Sequence, residues 1–116
     1  MSTNDRKPMT FAEYQRLAMR TAADAPIECA AMGLCGEAVE CADLLKKHLY
    51  HGHPLVRDEA SKELGDVLWY IALACDRLGF AMGDVANANV EKLRKRYPDG
   101  FSTAASLARV DAEVSP

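Results

Sequence analysis

Apolar residues recur every three or four positions along most of this sequence, a spacing that predicts amphipathic helices. The first such segment predicts a helix over residues 10–23, with Thr10 as its N-terminal cap. After a proline, a second helical segment continues to about Tyr50, where the stretch "HGHP" ends it because proline cannot continue a helix. Gly33 and Gly36 interrupt this segment, and they predict close backbone packing or a local bend.

The second half of the chain predicts two more helices and a tail. Asp58 is a candidate cap for a third helix that continues to about Leu78, and Asp84 is a candidate cap for a fourth that ends near Arg96. Residues 102–116 predict a tail that holds one short helix. No alternating strand pattern competes with these segments, so the sequence predicts an all-α fold.

Composition fits a single folded domain of this kind. Apolar residues make up 49% and charged residues 27% of the 116 residues, which is typical of globular proteins and unlike disordered chains. We expect one domain over residues 1–116, with its core over residues 9–101, built as a bundle of about four main helices. Short helices with this much apolar surface also predict that a homodimer or homotetramer completes the fold.

Charge and cysteine content exclude several classes of function. The net charge of -3 and the absence of a dense basic patch argue against a nucleic-acid partner. No apolar stretch is long enough to span a membrane, and the opening residues "MSTNDRKP" lack the apolar region of a secretory signal. The four cysteines form no C-x-x-C pair, which predicts reduced apolar side chains. We therefore expect a cytoplasmic protein.

Two pairs of acids stand within the segments that otherwise look most like core. Glu37 and Glu40 lie in the second predicted helix, and Glu63 and Asp66 lie in the third, three residues apart in each pair. This spacing places both carboxylates of a pair on one side of a helix. If the two helices pack antiparallel, four carboxylates face each other and repel unless cations neutralise them. Mg²⁺ and Mn²⁺ are the hard cations that prefer such oxygen ligands.

Acid pairs of this spacing also occur by chance. Seventeen acids in 116 residues give about two such pairs at random, so the pairs alone carry little weight. Their apolar surroundings, "MGLCGEAV" and "ELGDVLWYIALAC", favour a site over solvated charges. The alternative is a non-catalytic helical dimerisation module whose acids are surface charges. A ferritin-like di-iron protein is disfavoured because its site needs a Glu-x-x-His motif, and neither acid pair has a histidine at that spacing.

The stretches "GLCGEAVECADLLKK", "KELGDVLWYIALAC" and "NANVEKLRKRYPDGF" together resemble the MazG-like all-α nucleoside triphosphate pyrophosphohydrolases. The hallmark of that family is E-x-x-E followed by E-x-x-D, and the similarity covers about residues 11–101. The resemblance implies a MazG-type helical fold and Mg²⁺ held by the four acids, with Mn²⁺ as a substitute. It also implies hydrolysis of a (deoxy)nucleoside triphosphate to the monophosphate and pyrophosphate, a reaction suited to cleaning the nucleotide pool.

Carried onto this chain, the resemblance assigns roles to particular residues. The implied metal ligands are Glu37, Glu40, Glu63 and Asp66. The closing basic segment implies phosphate contacts by four residues of the fourth helix and its end: Asn89, Lys92, Arg96 and Tyr97. The resemblance also implies that Tyr14 and Gln15 in the first helix line the nucleoside pocket.

The chemistry of the reaction adds further candidates. A carboxylate beside the attacking water takes its proton, and Glu37 or Glu40 is the candidate for this role. Lys47 precedes the break at "HGHP" and is a further candidate for a phosphate contact. Trp69 and Tyr70 follow the second acid pair, where they can stack on a base or pack in the core. The three histidines lack a fourth ligand at suitable spacing, so we expect them to be loop residues.

Overall fold

The structure is a computed structural model that describes residues 7–109 of the chain. Those residues form five helices, namely α1 (Phe11–Met19), α2 (Ile27–Tyr50), α3 (Arg57–Leu78), α4 (Met82–Arg96) and α5 (Thr103–Ala108). No β-strand lies within this described range. The predicted all-α fold of about four main helices is therefore confirmed, and α5 is the short helix expected in the tail.

The helices belong to two compact units. The first contains α1, α2 and α3 and extends to Ala81, and the second begins at Met82 and contains α4 and α5. The predicted domain limits of 1–116 stay a prediction, and residues 110–116 of the expected tail lie outside the described residues. All four acids of the two predicted pairs lie in the first unit.

The helix starts follow the capping rules only in part. Thr10 caps α1 as predicted, because its Oγ1 accepts a hydrogen bond from the backbone nitrogen of Glu13 at 3.1 Å. The capping role predicted for Asp58 and Asp84 is wrong. α3 begins at Arg57, and both aspartates lie inside the first turn of their helices. Their negative charges are favourable there, since the N-terminal end of a helix is positive.

Of the first three helix ends, one departs from its prediction and two agree with it. α1 ends at Met19, four residues before the predicted end, and Ala23 then takes the left-handed φ of 48°. α2 ends at Tyr50 as predicted. α3 ends at Leu78 as predicted, and Gly79 follows as its C-cap with a φ of 78°, which suits a residue without a Cβ.

Arg77 fixes the turn between α1 and α2 to the far end of α3. Its Nε donates a hydrogen bond to the carbonyl of Ala25 at 2.6 Å, and its Nη2 donates to the carbonyl of Ala23 at 3.0 Å. Both carbonyls lie in the segment between α1 and α2, where they have no helical hydrogen-bond partner. A charged donor thus replaces the missing backbone partners and holds the turn in place.

A small core joins the three helices of the first unit. Ala22, Ala30 and Leu73 are buried, and Leu73 is the large side chain at its centre. Five partly buried residues surround this group: Met19, Ala25, Trp69, Tyr70 and Ala74. Small residues at the contacts allow the helices to approach closely.

Much of the apolar surface of α2 faces outward. Met32, Val39 and Leu49 are 77%, 67% and 66% exposed. They lie seven or ten residues apart, so they share one face of the helix. None of the described helices combines the length and apolar character needed to cross a membrane. The cytoplasmic location stays a prediction.

Candidate metal centre

The helices α2 and α3 pack antiparallel, with facing residues in regular register. The Tyr70 ring of α3 occupies the space beside Gly33 of α2. One turn further along α2, the negative charges of Asp66 and Glu63 on α3 raise the pKa of Glu37. As the numbers rise along α2 they fall along α3, as expected for antiparallel helices. Both acid pairs therefore lie at one contact between the two helices.

Three of the four predicted acids form a compact cluster. Each of Glu37, Glu63 and Asp66 offers one carboxylate oxygen, and these oxygens all lie within 4.8 Å of one another. The two glutamates are half-buried and Asp66 is exposed. The ion pairs described between residues 7 and 109 involve other acids, so no lysine or arginine is paired with this cluster there.

The electrostatics of the cluster are unfavourable without a cation. The pKa of Glu37 is raised above its ordinary value, first because burial removes water from the carboxyl group and then because Asp66, Glu63 and Glu40 add negative charge. A hydrogen bond to Glu63 also favours the protonated form. Carboxylates that repel each other at this distance are the arrangement that a bound divalent cation stabilises.

Glu40 lies beside the compact cluster and not within it. Glu40 and Glu63 both line a neighbouring pocket of about 290 Å³, so Glu63 belongs to the cluster and also lines this pocket. The same pocket is lined by Asp43, Lys47, Glu59 and other residues at the end of α2 and the start of α3. The structure thus brings Lys47 close to the acid site, on the side of Glu40.

The Lys47 ammonium group is held at this pocket by Asp43. Its Nζ lies 2.9 Å from one Asp43 oxygen, and the Nζ of Lys46 lies 3.2 Å from the other. Hydrogen bonds from Lys47 and then Lys46 lower the pKa of Asp43. Asp43 therefore remains ionised and keeps a positive charge next to Glu40 and Glu63.

A second pocket adjoins the cluster on its other side. It has a volume of about 320 Å³ and is lined by Glu37, Asp66, Trp69 and Tyr70. Two carboxylates and two aromatic rings thus border one open space. This combination suits a ligand with a charged, cation-binding end and a flat apolar end.

Both aromatic residues are fixed by packing as well as lining this pocket. The Trp69 indole nitrogen donates to Thr21 Oγ1 at 2.9 Å and to the Ala18 carbonyl at 3.3 Å. Its ring lies edge-on to that of Tyr70, with centroids 5.0 Å apart. The two roles considered for these residues are therefore compatible, because each ring packs in the core and also borders the pocket.

The two α1 candidates differ in their surroundings. The pKa of Tyr14 is raised by burial and by the negative charge of Asp66, which places its phenol near the cluster. The Gln15 side chain donates a hydrogen bond to the carbonyl of Phe80 at 2.9 Å, beyond the end of α3. Gln15 thus supports the end of that helix, and its nucleoside contact stays a prediction.

The predicted phosphate-binding residues of the second unit lie on and after α4. Asn89 and Lys92 are exposed, and Arg96 and Tyr97 are half-buried at the end of the helix. The Arg96 guanidinium lies over the Tyr97 ring at 5.8 Å, and that ring packs on Phe101 at 5.3 Å. Their contact with phosphate stays a prediction.

Sequence reasoning missed several residues around the site. Thr21, which holds the Trp69 indole, carries no pattern that would reveal it. Glu59 precedes Glu63 by four residues, so helical spacing alone could have placed it on the same side. The three histidines were predicted to be loop residues, and His51 and His53 do follow α2, but the prediction is wrong for His48, which lies inside that helix. His48 Nδ1 donates a hydrogen bond to the carbonyl of His53 at 2.9 Å, and His53 also lines the pocket beside Glu40.

Two comparisons with known proteins bear on this site. Residues 27–101 match the family described as the MazG nucleotide pyrophosphohydrolase domain. The matched range contains both acid pairs and the basic segment at the end of α4.

The chain is also similar to the Gene 37 protein of Mycobacterium phage L5. The two are 38% identical over 73 residues, which is 60% of this chain and 64% of the phage protein. The aligned part thus spans less than two thirds of that relative. No solved structure matches the chain.

Proposed function

This chain belongs to the MazG nucleotide pyrophosphohydrolase domain family, and from that membership we propose that it hydrolyses nucleoside triphosphates to the monophosphate and pyrophosphate. The observation that supports this activity best is the cluster of Glu37, Glu63 and Asp66, whose oxygens lie within 4.8 Å of one another. We further propose that Mg²⁺ is the cofactor, with Mn²⁺ as a substitute, and that Glu40 completes the set of acids.

The donor set fits a hard divalent cation. All the candidate ligand atoms are carboxylate oxygens, which Mg²⁺ and Mn²⁺ prefer over nitrogen or sulfur donors. Lys46 and Lys47 are paired with Asp43, and none of the ion pairs described within residues 7–109 neutralises the cluster. When bound, the cation would neutralise phosphate charge and make an associated water more acidic.

The side chains of the chain would perform the remaining chemistry. Glu37 or Glu40 accepts the proton of the water that attacks the phosphorus atom. The raised pKa of Glu37 favours proton uptake. Glu40 lines the same pocket as Glu63, which belongs to the carboxylate cluster. Lys47 lies in the pocket beside Glu40, where its positive charge can meet a phosphate oxygen.

The nucleoside end of the substrate would lie in the pocket lined by Trp69 and Tyr70. A triphosphate that reaches the carboxylate cluster from this side has its sugar and base next to two fixed aromatic rings. Tyr14 lies near Asp66 and is a further candidate for this end. Lys92 and Arg96 are proposed to bind the outer phosphates.

A second copy of the chain is the proposed partner. Met32, Val39 and Leu49 expose large apolar side chains along one face of α2. Two copies of this face can cover each other around a two-fold axis, as is common in homo-oligomers. We propose a homodimer, or a homotetramer built from it.

The alternative of a non-catalytic helical module is tested by one assay. The purified chain is incubated with a panel of ordinary and modified nucleoside triphosphates with and without Mg²⁺, and released pyrophosphate is measured. Cation-dependent release that is absent in Glu63→Gln supports the enzyme. No release from any member of the panel would leave the interaction module as the better description.

A further inference from the structure

A glycine of α2 lies directly against an aromatic ring of α3 in the first unit. A Cβ atom added to Gly33 would lie 2.1 Å from Cε1 of Tyr70, and 2.4 Å and 2.5 Å from Cζ and Cδ1. Ordinary contact begins at 3.4 Å, so the ring would have to retreat by more than 1 Å to admit even a methyl group. The Tyr70 ring therefore occupies a place that only glycine leaves open.

This contact lies one helical turn from the carboxylate cluster on both helices. Gly33 precedes Glu37 by four residues on α2, and Tyr70 follows Asp66 by four residues on α3. Those two acids and Tyr70, together with Trp69, line the pocket of about 320 Å³. The contact with Gly33 thus determines the position of the Tyr70 ring, which lines one side of that pocket.

The surroundings of the ring restrict where it could move. Trp69 lies edge-on at 5.0 Å and is held by hydrogen bonds to Ala18 in α1 and to Thr21 just after that helix. The core residue Leu73 is fully buried three positions further along α3. The pocket is the open side, so a ring displaced from Gly33 would enter the space that Glu37 and Asp66 border.

We propose that Gly33 is a positioning and specificity-determining residue, which sets the width of the nucleoside end of the site by seating the Tyr70 ring against α2. This inference rests on the proposed function, since it assumes that the nucleoside lies against Tyr70. Gly33 itself has no side chain to contact the proposed cation or the phosphates. Its substitution should therefore weaken nucleoside binding and leave cation binding intact.

A matched pair of glycine variants provides the test. Gly36→Ala makes the same substitution in the same helix three residues away, where an added Cβ meets nothing within 4 Å. Binding of a deoxynucleoside monophosphate is followed by the fluorescence of Trp69, the one tryptophan of the chain. Binding of Mn²⁺ is measured separately by calorimetry. We expect Gly33→Ala to weaken monophosphate binding about tenfold and to change Mn²⁺ binding less than twofold, while Gly36→Ala changes neither.

A double variant separates the positioning role from general damage to the fold. In a Tyr70→Leu background the smaller side chain leaves room for the new methyl group, so adding Gly33→Ala should change monophosphate affinity less than twofold. This comparison also serves if Gly33→Ala alone does not fold, because the double variant relieves the clash. Soluble double and single variants with equal affinity support the proposal.

The outcomes distinguish this inference from the proposed function. If the parent chain binds no nucleoside monophosphate, the proposed function and the inference both fall. If the parent binds it and Gly33→Ala binds it equally well, the inference alone is wrong. A tenfold loss that persists in the Tyr70→Leu background, or a parallel loss of Mn²⁺ binding, would also overturn it.

Discussion

The carboxyl groups of Glu37 on α2 and Glu63 on α3 lie against each other where the two helices pack, and a hydrogen bond between them contributes to the raised pKa of Glu37. Two glutamates twenty-six positions apart are thus neighbours, and Asp66 joins them within 4.8 Å. Three ionised carboxylates this close together repel each other and destabilise the fold, and a bound cation would remove that repulsion.

Removing one carboxylate charge should abolish turnover. We expect Glu63→Gln and Glu40→Gln each to lower kcat/KM for a nucleoside triphosphate at least about 100-fold, because each loses a ligand or the proton acceptor. Glu63→Gln should in addition weaken Mn²⁺ binding in calorimetry. Glu28→Gln, an exposed acid in the first turn of α2, is the matched control and should retain full activity. Parent-like kinetics in Glu63→Gln would rule out the proposed centre.

The raised pKa of Glu37 predicts how stability depends on pH without a cation. The folded chain holds this proton more tightly than the unfolded chain, so the group stabilises the fold fully below the ordinary pKa of 4.5. That contribution is lost as pH rises through the raised value. In metal-free buffer Glu37→Gln should therefore melt at a higher temperature than the parent at pH 7.5, with the difference shrinking toward pH 4. A variant that is less stable than the parent at pH 7.5 would contradict this.

A bound cation should reverse that order. At a concentration 100 times its Kd, a cation that binds only the folded state adds about 2.7 kcal/mol of stability. Differential scanning calorimetry should show Tm rising by several degrees in the parent with Mg²⁺ or Mn²⁺ at pH 7.5, and by much less in Glu37→Gln. Equal shifts in both proteins would place the binding elsewhere.

The sequence predicted the helices well and their first residues less well. The apolar spacing within "ELGDVLWYIALAC" made α3 clear, but Asp58 lies inside its helix and Val56 precedes it, since helix starts depend on local backbone geometry. The spacing of the acids predicted that the two pairs would face each other if α2 and α3 packed antiparallel, and the helices do pack in that way. The difference between Glu40 and the other three acids did not, because it depends on side-chain direction around each helix.

The role of Gly33 shows the same limit. Its position in a helix predicted close packing or a bend, and the structure shows close packing by the Tyr70 ring. Gly36 satisfies the same sequence rule yet has open space around it. Only the register of α2 against α3 distinguishes the two glycines.

Lys92 and Arg96 on α4 should bind phosphate and not the cation. Lys92→Ala and Arg96→Ala should each raise KM for the triphosphate about tenfold, because a charge-assisted contact to a phosphate oxygen is lost. Mn²⁺ affinity should stay within twofold of the parent. Lys95→Ala, an exposed lysine in the same turn, is the control. If KM is unchanged in both variants, α4 carries only the favourable charges of a helix end.

The exposed face of α2 should hold two copies of the chain together. Val39→Glu places a charge at the middle of this face, and we expect it to shift the protein to monomers in size-exclusion chromatography with light scattering. Ala12→Glu adds the same charge to exposed α1 and should leave the mass unchanged. A parent that is monomeric at micromolar concentration, or a Val39→Glu protein of parental mass, would refute the assembly proposed for this face.

The phosphoanhydride bond that is cut distinguishes a pyrophosphohydrolase from an ordinary phosphatase. A deoxynucleoside triphosphate is incubated with the parent chain and Mg²⁺, and the products are separated by anion-exchange chromatography at early conversion, with Glu63→Gln run in parallel. We expect monophosphate and pyrophosphate in equal amounts from the parent, little diphosphate at any time, and no products from the variant. Accumulation of diphosphate with inorganic phosphate would contradict it.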